Sequence, residues 1–299
     1  MENFALIFTA LFIGYIINLK NIFAKDTPLI LNQFIIYISL PAMIFLQIPR
    51  LSFSLDAITP VFVSWIVMSL SALMILIISK LFKFSKNTTG ALMLVGVLGN
   101  TSFVGIPIIE AYFGEEALGY VLMYDQLGTF IFLSTYGTFI SIYFSSEEKV
   151  DIKAIAIKML TFPTFVALIF SLFFIGTTFH PLITSVLSSL ASTIVPLALV
   201  AVGLQLRFKL PKDHLTPFFL ALSIQLIIAP LIALGVCYVF SWDNLASLVS
   251  VMEAGMGPMI TAGAVASMSG LAPRLSSAVV GYGTIFSFFS TWFVFKLIS

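Results

Sequence analysis

Gly99-Asn100-Thr101-Ser102-Phe103-Val104-Gly105-Ile106-Pro107 lies inside an apolar run long enough to cross a bilayer, and so does Glu253-Ala254-Gly255-Met256-Gly257-Pro258. Both stretches place glycine, proline and polar groups where hydrocarbon offers no water to satisfy a backbone N–H or C=O. A helix is therefore expected to break at each of them. Interruptions paired at matching positions in two halves of a chain mark the substrate site of secondary transporters.

The composition around them is that of a polytopic membrane protein. Of 299 residues, 60% are hydrophobic and 9% are charged, against roughly a quarter charged in a soluble domain. One cysteine, Cys237, rules out a disulfide framework and a cysteine zinc site. With only His180 and His214 as histidines, a transition-metal centre is not expected. Met1-Glu2-Asn3 lacks the basic start of a cleavable signal, so the run from Phe4 to Leu19 reads as the first span. No basic tail or RNA motif points to nucleic acid.

Stretches nearly free of Asp, Glu, Lys and Arg predict ten spans, at 4–19, 27–48, 57–79, 87–110, 117–144, 157–178, 182–206, 215–240, 244–269 and 275–297. The turn chemistry of Thr177-Thr178-Phe179-His180-Pro181 divides a chargeless run too long for one helix. Twelve of the fourteen basic residues fall in odd-numbered connections: Lys20, Lys25, Lys80, Lys83, Lys86, Lys149, Lys153, Lys158, Arg207, Lys209, Lys212 and Arg274. Only Arg50 and Lys296 fall on the other side. The positive-inside rule then puts the odd connections in the cytoplasm and both termini outside the cytoplasmic membrane.

The ten spans read as a duplication. Asp56-Ala57-Ile58-Thr59-Pro60-Val61-Phe62 matches Asp213-His214-Leu215-Thr216-Pro217-Phe218-Phe219 in register, an offset of 213 − 56 = 157. Gly128-Thr129 recurs as Gly283-Thr284 at 155, Ser134-Thr135-Tyr136 as Ser290-Thr291-Trp292 at 156, and Pro41 as Pro196 at 155. An odd number of helices per copy forces the second to enter from the opposite side. The expected architecture is an all-α membrane protein whose ten transmembrane helices form a 5+5 inverted repeat. The first repeat is 1–146, a cytoplasmic linker is 147–153, and the second repeat is 154–299. The two interrupted spans, four and nine, are then equivalent, although their prolines are 258 − 107 = 151 apart.

Where two broken helices cross, C-terminal ends present partial negative and N-terminal ends partial positive charge at mid-membrane. No Lys or Arg lies inside a span away from its ends. An anionic substrate would then be recognised by half-helix amides and by Asn100, Thr101 and Ser102, with Gly105, Pro107, Gly255, Gly257 and Pro258 shaping the unwound backbone. Glu253 sits at the carbonyl-rich end before the second break, where burial and the helix dipole both disfavour its ionised form. It is expected to bind a proton or a cation. Asp125, in span five, is the second candidate for the coupling ion. Glu110 follows the first break, near the outer end of span four. Gln47, Gln205 and Gln225 carry neutral amides that satisfy themselves between helices, and none is assigned to a site. No cofactor is expected beyond Na⁺ or H⁺ as coupling ion, with Na⁺ placed near Glu253.

The string Asn100-Thr-Ser-Phe-Val-Gly-Ile-Pro107, followed by Glu110-Ala-Tyr-Phe-Gly114, resembles the fourth-helix crossover of the auxin efflux carrier family. Ile38-Ser-Leu-Pro-Ala-Met43 and Pro196-Leu-Ala-Leu-Val-Ala-Val-Gly203 are similar to its second and seventh helices. The resemblance covers essentially the whole chain. It implies a fold similar to bile acid sodium symporters, with a scaffold of helices 1, 2, 6 and 7 and a transport unit of helices 3–5 and 8–10 that moves as an elevator. It further implies homodimers formed through the scaffold, substrate contact at Asn100, crossover prolines at Pro107 and Pro258, and a small organic anion as cargo, auxin-like or malate- or malonate-like. The long loop of many plant members has no counterpart, only Ser145 to Lys153 joining the halves, and Glu253 is not part of the plant carriers' motif.

The expected function is secondary transport of such an anion within the lipid membrane. No Gly-Lys-Ser/Thr glycine loop is present to power an ATP-driven pump. Two alternatives stand beside it. One is a membrane sensor that has kept the carrier fold and lost turnover. The other is an intramembrane aspartyl-type hydrolase, suggested by Tyr124-Asp125 and Glu253 but lacking the partner Gly-x-Gly-Asp motif.

Overall fold

The computed structural model describes residues 2–51, 55–145, 152–208 and 214–299. Most of the expected linker, Lys149 within it, and Lys209, Lys212 and Asp213 lie outside the described residues. In chain order the helices are α1 (Glu2–Leu19), α2 (Thr27–Arg50), α3 (Asp56–Leu81), α4 (Lys86–Val95), α5 (Thr101–Phe113), α6 (Glu115–Ser145), α7 (Ile152–Leu160), α8 (Pro163–Leu172), α9 (Pro181–Gln205), α10 (Leu215–Val239), α11 (Leu245–Ala254), α12 (Ile260–Met268) and α13 (Pro273–Ile298). No strand accompanies them among the described residues; a single antiparallel bridge joins Gly99 to Pro258.

Six of these helices, α2, α3, α6, α9, α10 and α13, are long and apolar enough to cross a membrane by length and composition. They fall on the expected spans two, three, five, seven, eight and ten. Expected spans four and nine are each two short helices, α4 with α5 and α11 with α12. Expected span six begins earlier than 157 and is also divided, because Pro163 cannot donate an amide to a helix continuing from α7 and instead starts α8.

The same apolar composition that suits lipid also covers the outside. Phe286, Phe289, Trp292 and Phe293 form one exposed stripe on α13, and Phe8, Phe12 and Ile13 another on α1. Inside, the buried apolar residues fall into two clusters. One gathers α1, α2, α9, the start of α6 and α11; the other gathers the inner parts of α3, α4, α10, α12 and α13. Along α6 the buried residues pass from the first cluster at Tyr124 to the second at Phe132, and Asp125, Gln126 and Thr129 fall at that switch. Along the α4–α5 chain the switch falls between Leu98 and Phe103, at Asn100 and Thr101. These five buried polar groups thus lie where one apolar core gives way to the other.

Several long helices widen to π geometry along their length. The segments Ile35–Ser39, Tyr124–Phe130, Leu133–Gly137 and Ile224–Ile228 each add a residue to the turn. A π turn frees a carbonyl from its usual partner. At Leu127 the freed oxygen accepts from the indole Nε1 of Trp65 on α3, at 2.9 Å.

Candidate functional site

The site is assembled from the two interruptions. Ser85 caps α4 by accepting from the Thr88 amide, and Asn244 caps α11 by accepting from the Ser247 amide. Each helix runs ten residues and stops at a glycine, Gly96 (φ −100°, ψ −1°) and Gly255 (φ −90°, ψ 5°). The chain then runs extended and the two segments pair. The Asn100 amide donates to the Gly257 carbonyl at 2.8 Å, and the Met259 amide donates to the Leu98 carbonyl at 2.8 Å. Caps, glycines and bridged residues all correspond at one separation: 244 − 85, 255 − 96 and 258 − 99 each equal 159.

That separation changes one expectation. Pro258 is the counterpart of Gly99, within the interruption itself, whereas Pro107 follows the π turn Thr101–Gly105 in the first turn of the α-helical part of α5. The residue 159 positions after Pro107 is Ala266. The two prolines are therefore not counterparts, which explains their spacing of 151. Pro107 lines a cavity of about 300 Å³ together with Arg50, Glu110 and Glu115, away from the paired segments.

Several backbone groups at the interruptions find partners within the chain. The Met93 carbonyl accepts from the Tyr136 hydroxyl at 2.9 Å, and the Met256 carbonyl accepts from Gln225 Nε2 at 3.1 Å. The Asn100 carbonyl takes the amides of Val104 and Gly105. The carbonyls of Met93, Met256 and Asn100 are thus paired within the chain, as burial in hydrocarbon demands. What is left open is side-chain chemistry and one helix end. Asn100 Oδ1 accepts from the Phe103 amide and caps α5, while its Nδ2 is buried without a partner. Met259, the counterpart of Asn100, has no side-chain acceptor to offer, so no side chain caps the start of α12.

Asp125 is held firmly. Its Oδ1 accepts from Thr101 Oγ1 at 2.5 Å and Ser102 Oγ at 2.6 Å, and its Oδ2 from Gln126 Nε2 at 2.6 Å. Glu253 is the opposite case: 1% exposed, it has no hydrogen-bond partner on either carboxyl oxygen among the described residues. Its carboxyl presses on Gly105, where a Cβ would lie 2.5 Å from Oε1 and 2.6 Å from Oε2. Gly257 makes a second close approach, to α13, where a Cβ would lie 2.9 Å from both the Gly283 carbonyl and Thr284 Cα. Gly255 serves as the cap of α11 and is not part of the paired segment.

Ser102, Asp125, Gln126, Thr164, Met259 and Thr261 line a central cavity of about 440 Å³ between the interruptions and α2, α7 and α8. Gln126 Oε1 and Thr164 Oγ1 are buried there without partners. Sequence reasoning does not find Gln126, Thr164 or Gln225 as site residues. Gln126 adjoins Asp125, a usable signal; Gln225 is 31 residues from its acceptor, and nothing local distinguishes it from a helix-packing amide. Donors occupy both oxygens of Asp125, and no hydrogen bond joins it to Glu253 among the described residues.

Membrane-length apolar helices surrounding two helix interruptions that meet in a buried polar layer define a multi-pass membrane transport protein. A family model described as membrane transport protein matches residues 1–295. The chain belongs to that family, the auxin efflux carrier-like group of membrane transporters. It is similar to an "uncharacterized transporter" of Methanothermobacter thermautotrophicus, 25% identical over 280 residues, covering 93% of this chain and 91% of the relative. It is also similar to the "uncharacterized transporter MJ1031" of Methanocaldococcus jannaschii, 28% identical over 265 residues, covering 86% and 85% of the two chains.

Proposed function

We propose that the protein is a secondary transporter that carries a small organic anion, an auxin-like monocarboxylate or a malate- or malonate-like dicarboxylate, across the cytoplasmic membrane. Ten spans form a 5+5 inverted repeat with both termini outside, and spans four and nine cross at the substrate site. The observation that carries the reading is the reciprocal pairing of Asn100 with Gly257 and of Met259 with Leu98. A constant separation of 159 between antiparallel segments is what two inverted copies meeting on their own pseudo-twofold axis would produce.

Asn100 Nδ2 and the uncapped amides of α12 are donors suited to a carboxylate. Glu253, unpartnered and buried, takes the coupling H⁺ or Na⁺. Asp125 fixes Thr101 and Ser102 against α6 and so holds the shape of the first interruption. Helices 3–5 and 8–10 of the ten move as one unit against a scaffold of helices 1, 2, 6 and 7, which also forms the homodimer.

The test is flux of radiolabelled indole-3-acetate and malonate into proteoliposomes under imposed pH or Na⁺ gradients, comparing wild type with Asn100→Ala and Glu253→Gln. Asn100→Ala is expected to abolish flux, and Glu253→Gln to remove its dependence on the gradient. Gradient dependence surviving in Glu253→Gln refutes the coupling assignment. Wild-type flux no greater than that of protein-free vesicles refutes transport of these anions.

A further inference from the structure

Three cavities follow the seam between the helices assigned to scaffold and to transport unit, and their charges differ. The one at Pro107 carries Arg50 but also Glu110 and Glu115. The central one carries Asp125 as its sole ionisable lining residue among the described residues. The third, about 620 Å³, is lined by Lys25 and Arg207 and by no acid among the described residues.

The backbone brings both cations to the same cavity. Arg207 follows α9, and its backbone lies so close to α13 that a Cβ on Gly281 would sit 2.5 Å from the Arg207 carbonyl. The next residue, Phe208, packs edge-on against Tyr15 of α1, with ring centroids 5.5 Å apart, and against Tyr282 of α13, at 5.3 Å. Lys25 faces the same space from the connection between α1 and α2. Asn18, Asn21 and Asn32 add side-chain amides.

The floor of this cavity is the start of α12: Ile260, Thr261 and Gly263 line it, and Thr261 lines the central cavity as well. Two positive charges and an uncapped helix N-terminus thus share one cavity, and Thr261 at that N-terminus also lines the cavity beside Asp125. Converging cations in a cleft with low-dielectric walls raise the local concentration of an anion.

We propose that Lys25 and Arg207 form a loading site for the carboxylate of the transported acid, distinct from the crossover, from which the anion passes over Thr261 to the central cavity. The inference rests on the transport reading above for what it loads. By the sign of the connections it opens to the cytoplasm.

The experiment measures equilibrium binding of radiolabelled malonate and indole-3-acetate to the purified full chain in phosphatidylcholine nanodiscs at low and high salt. Wild type should bind one of these probes in a salt-weakened mode. K25Q/R207Q should weaken that mode about tenfold, two exposed charge contacts together contributing roughly a factor of ten. K25R/R207K should retain it. Salt-sensitive binding unchanged in K25Q/R207Q, or binding of neither probe, overturns the proposal.

A second arm separates substrate from lipid. If anionic phosphatidylglycerol, added to the nanodiscs, displaces the probes and is itself retained by wild type but not by K25Q/R207Q in native mass spectrometry, the site holds headgroups and the loading role is overturned. Flux separates the two readings: Lys25- and Arg207-dependent binding without wild-type flux removes the transport reading and with it the loading role. Flux without such binding removes only the present inference.

Discussion

Replacing Gly105 by alanine tests the contact on which the ion-coupling reading turns. A Cβ at residue 105 would stand 2.5 Å from Glu253 Oε1, 2.6 Å from Oε2 and 2.9 Å from Cδ, whereas ordinary contact begins at 3.4 Å. The carboxyl must therefore retreat by 3.4 − 2.5 = 0.9 Å, from a site in which it is 1% exposed and closely packed. Overpacking of that kind destabilises by about 1–3 kcal/mol. Against it runs the intrinsic preference of a helix for Ala over Gly, about 1 kcal/mol. With Glu253 already truncated to Ala the clash is absent and only the preference remains, so Gly105→Ala should turn from destabilising to neutral or slightly stabilising. The assay is a double-mutant cycle of unfolding free energies in detergent micelles, with gradient-driven flux measured on the same four proteins. Glu253→Gln, which keeps the bulk, should keep the Gly105→Ala penalty. An equal penalty in the wild-type and Glu253→Ala backgrounds refutes the proposed contact.

Three further outcomes follow from the same geometry. Asp125→Asn turns an acceptor of three side-chain hydrogen bonds into a group that must present an NH₂ to donors already in place, and unfolding should become easier by about 2–4 kcal/mol; Asp125→Ser, which removes the charge without a misdirected donor pair, should cost less. Asn100→Ala removes the cap on Phe103 and should lower stability by only about 1 kcal/mol, so a flux loss far beyond tenfold in folded protein, read by size-exclusion and transport together, separates recognition from stability. Tyr136→Phe strips the Met93 carbonyl of its partner and should destabilise by about 1–3 kcal/mol, checked by hydrogen exchange that rises at the end of α4 before the rest of the chain opens.

Much of the site is legible because two of its properties are local. Asn100, Thr101, Ser102 and Glu253 announce themselves as polar groups inside apolar runs, and hydrocarbon tolerates such groups only where protein surrounds them. The structure brings all four to the meeting point of the two interruptions. Pro107 announces itself equally well as part of the break, but it lies beyond it, in the first turn of the α-helical part of α5. Proline fits the first turn of a helix as readily as it breaks one, so its presence marks a boundary without saying on which side it lies. Gln225 and Tyr136 look like packing residues in the sequence and act as hydrogen-bond donors to carbonyls that the broken helices leave open.

The amino-acid order by itself determined that the chain lives in a membrane, where most of its helices begin and end, and where two of them cannot continue, because length, hydropathy and backbone donors are properties of contiguous residues. Tertiary structure alone decided which groups satisfy the interrupted backbone, that the bridged residues Gly99 and Pro258 lie 159 positions apart, and that both oxygens of Asp125 are engaged while Glu253 is left without a hydrogen-bond partner among the described residues. Those outcomes depend on which distant side chain arrives within about 3 Å of a given atom, and a periodic apolar pattern is the same whichever neighbour arrives.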